Sequence, residues 1–148
     1  MTSSSPPGYT CATTLHLIGP RSWTEVPALL SYEVGDPFAV RIIFGDSGEE
    51  DTGISWLVGR ELLQAGLDRP TGEGDVRLWP SRTSNDVLFL HLRAPSGEAL
   101  FEASRGTVAG FLQLTATVVP LGEESSVLDV DDELTTLLSN GGADPSGR

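Results

Sequence analysis

The sequence predicts an α+β domain in which two antiparallel sheets are flanked by short and C-terminal helices. Three observations carry that prediction. Turn residues punctuate the first half of the chain at short, regular intervals, the runs between them alternate apolar with polar side chains, and three later segments switch to helical spacing. The 148 residues suit one domain, and a hydrophobic content of 39% supports a folded core.

Segments 1–9 and 140–148 are rich in Ser, Pro, Gly and Asp and read as loose tails, leaving 10–139 as a single folded domain. The first strand is expected over 11–18, where Leu15 and Leu17 alternate with Thr14 and His16. A second, 28–34, places Leu30, Tyr32 and Val34 on one face. Gly35-Asp36-Pro37 makes a tight turn into a third strand, 38–44, rich in aromatic and β-branched residues. An acidic tip, 46–51, returns the chain into 54–58, completing an antiparallel meander.

A short helix follows from about Gly59, with Glu61 in its first turn, Leu62 and Leu63 inside, and Gly66-Leu67 spaced as a glycine C-cap with a hydrophobic closing residue. After a loop at 68–73, strands are expected over 75–79, 87–92 and 98–103. The helix at 105–119 sets Val108, Phe111, Leu112, Thr115 and Val118/Val119 along one face and stops at Pro120. A last helix, 131–139, opens at Asp131 and presents Leu134, Leu137 and Leu138 together; it could complete its own core or meet a neighbouring subunit.

The formal net charge is −12, and all nine basic residues are arginines with no lysine. Such a surface repels nucleic-acid backbones and anionic lipid unless arginines cluster, and no run of them exists. Cys11 is the only cysteine, so no intramolecular disulfide and no multi-cysteine zinc site can form. The start of the chain has neither the basic nor the apolar stretch of a secretory signal, and no run reaches the ~20 apolar residues of a spanning helix. A cytoplasmic protein without membrane insertion is expected.

Catalysis needs a nucleophile with a base, two carboxylates in different environments, or a metal. His16 and His91 each lie inside a strand, far apart in sequence, and read as strand-face residues; Cys11 reads as a small buried hydrophobe. The acidic groups at Glu49-Glu50-Asp51 and at Glu123-Glu124 with Asp129, Asp131, Asp132 and Glu133 lack calcium-loop spacing, and read as a solvated hairpin tip and an acidic helix cap. Segment 69–75 lacks the Gly-Lys-Ser/Thr ending of a phosphate loop and precedes a strand, so it reads as a turn. Arg41, Arg77, Arg82 and Arg93 with Phe38, Trp79 and Phe89 could form a stacking surface for single-stranded nucleic acid, which the overall charge opposes. No catalytic, cofactor-binding or metal-binding residue is assigned, and no cofactor is expected.

Several segments in fixed order resemble the SsgA-like sporulation and cell-division proteins of actinomycetes. They are Ser31-Tyr32 through Asp36-Pro37-Phe38-Ala39-Val40, then Trp56, then Arg60-Glu61-Leu62-Leu63-Gln64-Ala65-Gly66-Leu67. The most specific is Arg69-Pro70-Thr71-Gly72-Glu73-Gly74-Asp75-Val76-Arg77-Leu78-Trp79-Pro80-Ser81-Arg82, followed by Pro95-Ser96-Gly97-Glu98-Ala99-Leu100 and the acidic-leucine stretch 129–138. The resemblance spans about 15–139. It implies a whirly-like protomer, commonly a homotrimer, that acts without enzymatic activity as an adaptor at the septum during sporulation. Its implied partners are the tubulin-like division GTPase, the septal wall machinery and other SsgA-like proteins. Whirly proteins elsewhere bind single-stranded nucleic acid; here the acidic balance argues that the scaffold was kept without that activity. A hydrolase acting on wall precursors is a third reading, with no paired-carboxylate or triad signal behind it.

Overall fold

Strand β1 (Gly8–Ile18) pairs along its full length with β2 (Trp23–Glu33), from Gly8 opposite Glu33 to Ile18 opposite Trp23. In this computed structural model the described residues are 8–45, 54–127 and 137. β1 therefore reaches into the segment expected as a loose tail, because Tyr9 pairs with Tyr32 and packs on the core. β3 (Ala39–Phe44) and β4 (Ile54–Gly59) complete the first meander, while the acidic tip at 46–51 lies outside the described residues. The chain then forms α1 (Arg60–Gly66), β5 (Thr71–Glu73), β6 (Val76–Pro80), β7 (Val87–Ala94), β8 (Gly97–Ser104) and α2 (Arg105–Val118). β5 falls within the loop expected at 68–73, where its three residues pair with Val76, Arg77 and Leu78. Residues 124–127 form one further helical turn; of the expected helix at 131–139, only Leu137 is described, helical and exposed.

The strands form one eight-stranded sheet in the order β4-β3-β2-β1-β8-β7-β6-β5, not the two sheets expected from sequence. Two four-stranded meanders are joined through β1 and β8 at His16 opposite Glu102 and Leu17 opposite Phe101. This seam is short, and the sheet curls. Phe44 on β3 stacks on Phe101 of β8 with ring centroids 5.1 Å apart, although three flat strand spacings would separate those strands by about 14 Å.

Registry puts one row of each strand on the concave side. Leu15, Leu30, Tyr32, Val40, Ile42 and Val58 from the first meander meet Val76, Leu78, Leu88, Leu90, Leu92 and Phe101 from the second in a single core. The helices cover one end of that concavity. α2 lies over β1 and β8 and buries Val108, Phe111, Leu112 and Thr115, the face expected from its spacing. Ser104 Oγ accepts from the Thr107 amide at 3.1 Å and Asp86 Oδ1 accepts from the Gly106 amide at 3.0 Å, satisfying the first turn. Arg105 then donates from Nε to the Leu67 carbonyl at 2.8 Å and from Nη2 to Asp68 at 3.0 Å, tying the start of α2 to the end of α1.

Gly66 is not the left-handed C-cap its spacing suggested. Leu67 occupies the cap with ordinary helical backbone, φ −65 and ψ −26. The glycine is demanded by proximity instead: a Cβ there would lie 2.7 Å from Cβ of Leu78 on β6 and 3.3 Å from Thr71 Cγ2 on β5. Gly110 of α2 has open space around the same position.

Where the helices meet the first meander, Arg60 is fully buried. Its Nε and Nη2 donate to Glu124 Oε2 at 3.2 and 2.6 Å, Nη1 donates to Thr115 Oγ1 at 3.2 Å, and Nη2 also reaches the Pro120 carbonyl at 3.4 Å. The guanidinium stands 5.1 Å from the Tyr32 ring centroid. The other Glu124 oxygen accepts from the Gly122 amide at 3.0 Å, and the Thr115 hydroxyl donates to the Leu112 carbonyl at 2.7 Å. Glu124, expected as part of an acidic helix cap, is instead a buried counter-charge. Burial pushes its carboxyl up, but the hydrogen bonds and charge of Arg60 outweigh this and hold it below the usual carboxylate value. Burial raises the Tyr32 phenol, with Arg60 opposing; its hydroxyl donates to the Pro37 carbonyl at 3.1 Å.

Two predictions follow from these contacts. Gly66→Ala will lower unfolding free energy by about 1–2 kcal/mol despite alanine's better helix propensity, while Gly110→Ala will raise it by about 0.5–1 kcal/mol, both read from denaturant midpoints. Glu124→Gln, which leaves a buried guanidinium without a counter-charge, will cost about 3–5 kcal/mol near neutral pH, and the double change Arg60→Met with Glu124→Leu will recover most of it. Since the folded carboxyl titrates below its ordinary value of 4.5, the pair's stabilisation is complete above that value and is lost as pH falls through the folded one. Acid unfolding curves will therefore be steeper for the natural chain than for Glu124→Gln.

Candidate functional site

The residues with catalytic potential lie on opposite sides of the sheet. His16 and His91 occupy the outer, convex face on β1 and β7, where each meets a carboxylate of its own. His16 stacks on Trp23 with ring centroids 4.1 Å apart and lies 3.9 Å from Glu25 Oε2. His91 Nε2 is 2.6 Å from Glu98 Oε1. Cys11 sits on the concave row opposite Leu30, half-buried against the core. These groups are not brought into one constellation. Among the described residues no set of three or more His, Cys, Asp or Glu side chains could hold a metal ion.

The arginines and aromatics considered for nucleic acid are divided by the sheet. Trp79 and Phe89 are opposite one another on β6 and β7, stacked at 5.6 Å, with Arg77 opposite His91 in the next outer row. Arg93 shares this face, but Glu98 stands opposite it and Glu102 stands opposite Phe89. Arg41 belongs to β3 in the other meander and donates to Ser55 Oγ at 3.3 Å; Phe38 is exposed in the turn before β3. The outer face is a short aromatic and arginine patch interrupted by carboxylates, not a continuous cationic track.

Segment 69–75 holds β5 and the turn into β6, with Gly74 in that turn at φ +63. Gly72 lies beside Arg77, where a Cβ would approach Arg77 Cγ at 3.1 Å and the Val76 carbonyl at 3.2 Å. The most distinctive stretch of the sequence therefore specifies a tight edge hairpin that holds Arg77 and Trp79 outward. No cradle of amides over a helix start is formed.

An apolar feature able to receive another molecule is at the end of the concavity that the helices leave open. A cleft of about 470 Å³ is bounded by both meanders. Leu92 and Phe101 are buried in its floor, Val26, Phe44 and Trp56 form one wall, and Ile54 stands at the rim with 66% of its surface exposed. Its polar lining is confined to Ser96 and Glu98. Sequence reasoning assigned these apolar residues to strands but not to a cleft, because the cleft exists only once β3 and β8 face each other across the curled sheet. Trp56 was the one of them already singled out by the family-like pattern.

Comparison with known proteins follows the same architecture. Residues 26–124 match the family described as Streptomyces sporulation and cell division protein, SsgA. The sporulation-specific cell division protein SsgB of Thermobifida fusca is 40% identical over 139 residues, covering 93% of this chain and 99% of that protein. SsgB of Streptomyces coelicolor is 43% identical over 129 residues, covering 84% and 93%. The crystal structure of an SsgA-like sporulation-specific cell division protein from Thermobifida fusca YX-ER1 superposes with a TM-score of 0.78 at 39% identity, covering 91% of this chain and 98% of that one. With the match extending through both meanders and both helices, this chain belongs to the SsgA family of sporulation and cell division proteins.

Proposed function

We propose that the protein is a non-enzymatic adaptor in sporulation-specific cell division, helping to bring the tubulin-like division GTPase or the septal wall machinery to septum sites. The observation that carries this reading is its 40% identity over 93% of its length with a protein named for sporulation-specific cell division. The described structure is consistent with work by contact. Its principal concavity is lined by apolar side chains, and its histidines are engaged singly with carboxylates on the other face. Among the described residues no helix is long and apolar enough to cross a membrane.

On this reading the protomer is whirly-like and assembles as a homotrimer, and the active form acts in the cytoplasm at the septum. A closed ring presents one patch several times, so weak contacts with a polymer or with another SsgA-like protein combine through effective concentration. Single-stranded nucleic acid is the competing partner, favoured only by the Arg77, Trp79 and Phe89 group and opposed by a net charge of −12.

Four measurements test the proposal. Light scattering will give a mass above that of one chain, and the protein will pellet with polymers of the division GTPase; a strict monomer that stays in the supernatant overturns the adaptor reading. Labelled oligonucleotides at low salt will show no binding. Deletion in the native host will block or misplace sporulation septa, followed by imaging of the tagged GTPase.

A further inference from the structure

We infer that the outer edge of β4 is a docking edge for an extended segment of a partner protein, which joins the curled sheet as a further strand. This rests on the reading that the protein works through protein contacts, and it names the surface and the form of the partner. The direction of main-chain groups along β4 is fixed by its ladder. The Arg60 amide donates to the Phe38 carbonyl at 2.7 Å, one step beyond the pairing of Gly59 with Ala39. The Gly45 amide donates to the Pro27 carbonyl at 2.8 Å, one step beyond the pairing of Phe44 with Ala28. Hydrogen-bonded pairs alternate along an antiparallel ladder, so Ile54, Trp56 and Val58 bond β3, while Ser55 and Leu57 turn their N–H and C=O groups away from it. Among the described residues no strand lies beyond β4.

The two ends of the sheet are built differently. β5, at the other end, has three residues, follows Pro70, carries Glu73 and lies against α1. Short length, proline, charge and a covering helix are the usual guards of a free edge. β4 has six residues with no proline and no charge, and it pairs with β3 without a bulge from Ile54 opposite Phe44 to Gly59 opposite Ala39. Leu57 is 51% exposed on one face of the strand and Ile54 66% exposed on the other. Such an edge is a template for an added strand, whose main-chain bonds supply affinity and whose alternate side chains supply specificity.

The surroundings of β4 define those side chains. On the concave side the added strand lies beside Ile54 and Trp56 at the apolar cleft, so every second residue is apolar. On the convex side Arg41 is opposite Leu57 and donates from Nη1 to Ser55 Oγ at 3.3 Å, which stands its guanidinium over β4. Neither β3 nor β4 carries a carboxylate. The intervening residues are therefore polar, with a carboxylate in reach of Arg41. A second copy of β4 is uncharged, offers Arg41 no counter-charge and is the poorer match.

The probe is a synthetic peptide of about eight residues that alternates valine with threonine and has glutamate in place of one central threonine. It will bind, and hydrogen exchange of the Ser55 and Leu57 amides will slow by at least about tenfold while that of Trp56 and Val58 changes little. N-methylation of one alternate set of peptide amides will abolish binding, and N-methylation of the other set will spare it. Leu57→Pro removes only an outward donor, at a position where an edge strand accepts proline; the fold will hold and binding will weaken by at least about tenfold. The methylated peptides test the same bonds without altering the protein. Arg41→Gln will weaken binding and flatten its salt dependence more than Arg93→Gln, which removes the same charge from a remote strand.

The inference is overturned by no binding, by equal effects of the two methylated sets, by unchanged exchange at Ser55 and Leu57, by indifference to Leu57→Pro, or by equal effects of the two arginine variants. Self-association that Leu57→Pro abolishes, without peptide binding, assigns the edge to a second copy and also overturns it. Pelleting of the natural protein with division GTPase polymers, measured alongside, separates this failure from failure of the adaptor reading.

Discussion

The arrangement of helices on sheet depends on the burial of Arg60. A guanidinium with no exposure to water must have its donors satisfied within the protein, and here the partners come from distant parts of the chain. Glu124 and the Pro120 carbonyl lie in the segment after α2, Thr115 is inside α2, and Tyr32 is at the end of β2. Moving Glu124, Thr115 or Pro120 would leave a charge or a donor unpaired in the core. Among the described residues no buried side-chain polar atom lacks a partner. The pair is better understood as fixing position than as adding stability, because removing both charges from water costs about as much as their attraction returns.

That network closes one end of the curled sheet, and the other end stays open because its elements run out. α1 occupies the space beside β4, β5 and β6, and α2 the space over β1 and β8, so Val40, Val58 and Tyr32 are covered. Strand β4 crosses from one condition to the other within a few residues. Val58 is buried near the helices, Trp56 is half-buried, and Ile54 is largely exposed on the same face. The polarity of the cleft is therefore set by where the helices stop. Gly66 contributes to that limit, since the absence of a Cβ lets α1 settle directly onto Leu78 and Thr71.

Strand positions were legible because alternation and turn chemistry are local. Leu30 and Tyr32 on one face, the turn at Gly35-Asp36-Pro37, and the stripe Val108, Phe111, Leu112 and Thr115 all stand as the spacing predicts. What was not legible depends on partners remote in sequence. Nothing near Leu17 announces Phe101, so the seam that makes one sheet of two meanders was missed. Glu124 has the neighbours of an acidic helix cap, and only the placement of Arg60 makes it a buried counter-charge. Gly66 carries the spacing of a C-cap, while its real constraint comes from a strand that follows the helix. The family-like segment at 69–82 was legible as a pattern, but its physical content is a hairpin geometry that holds Arg77 and Trp79 outward.

The two faces of the sheet offer different kinds of recognition, and their chemistry ranks them. On the convex face carboxylates interrupt the basic and aromatic groups, with Glu98 opposite Arg93 and Glu102 opposite Phe89, so an anionic ligand would meet repulsion there. The concave end has a different arrangement: an apolar lining in which Glu98 is the one charged residue. Covering such a surface removes apolar area from water at about 25 cal/mol per Å², with a single charged group, Glu98, beside it. In a chain with no lysine and a net charge of −12, the apolar cleft is thus set apart from a surface on which like charges repel.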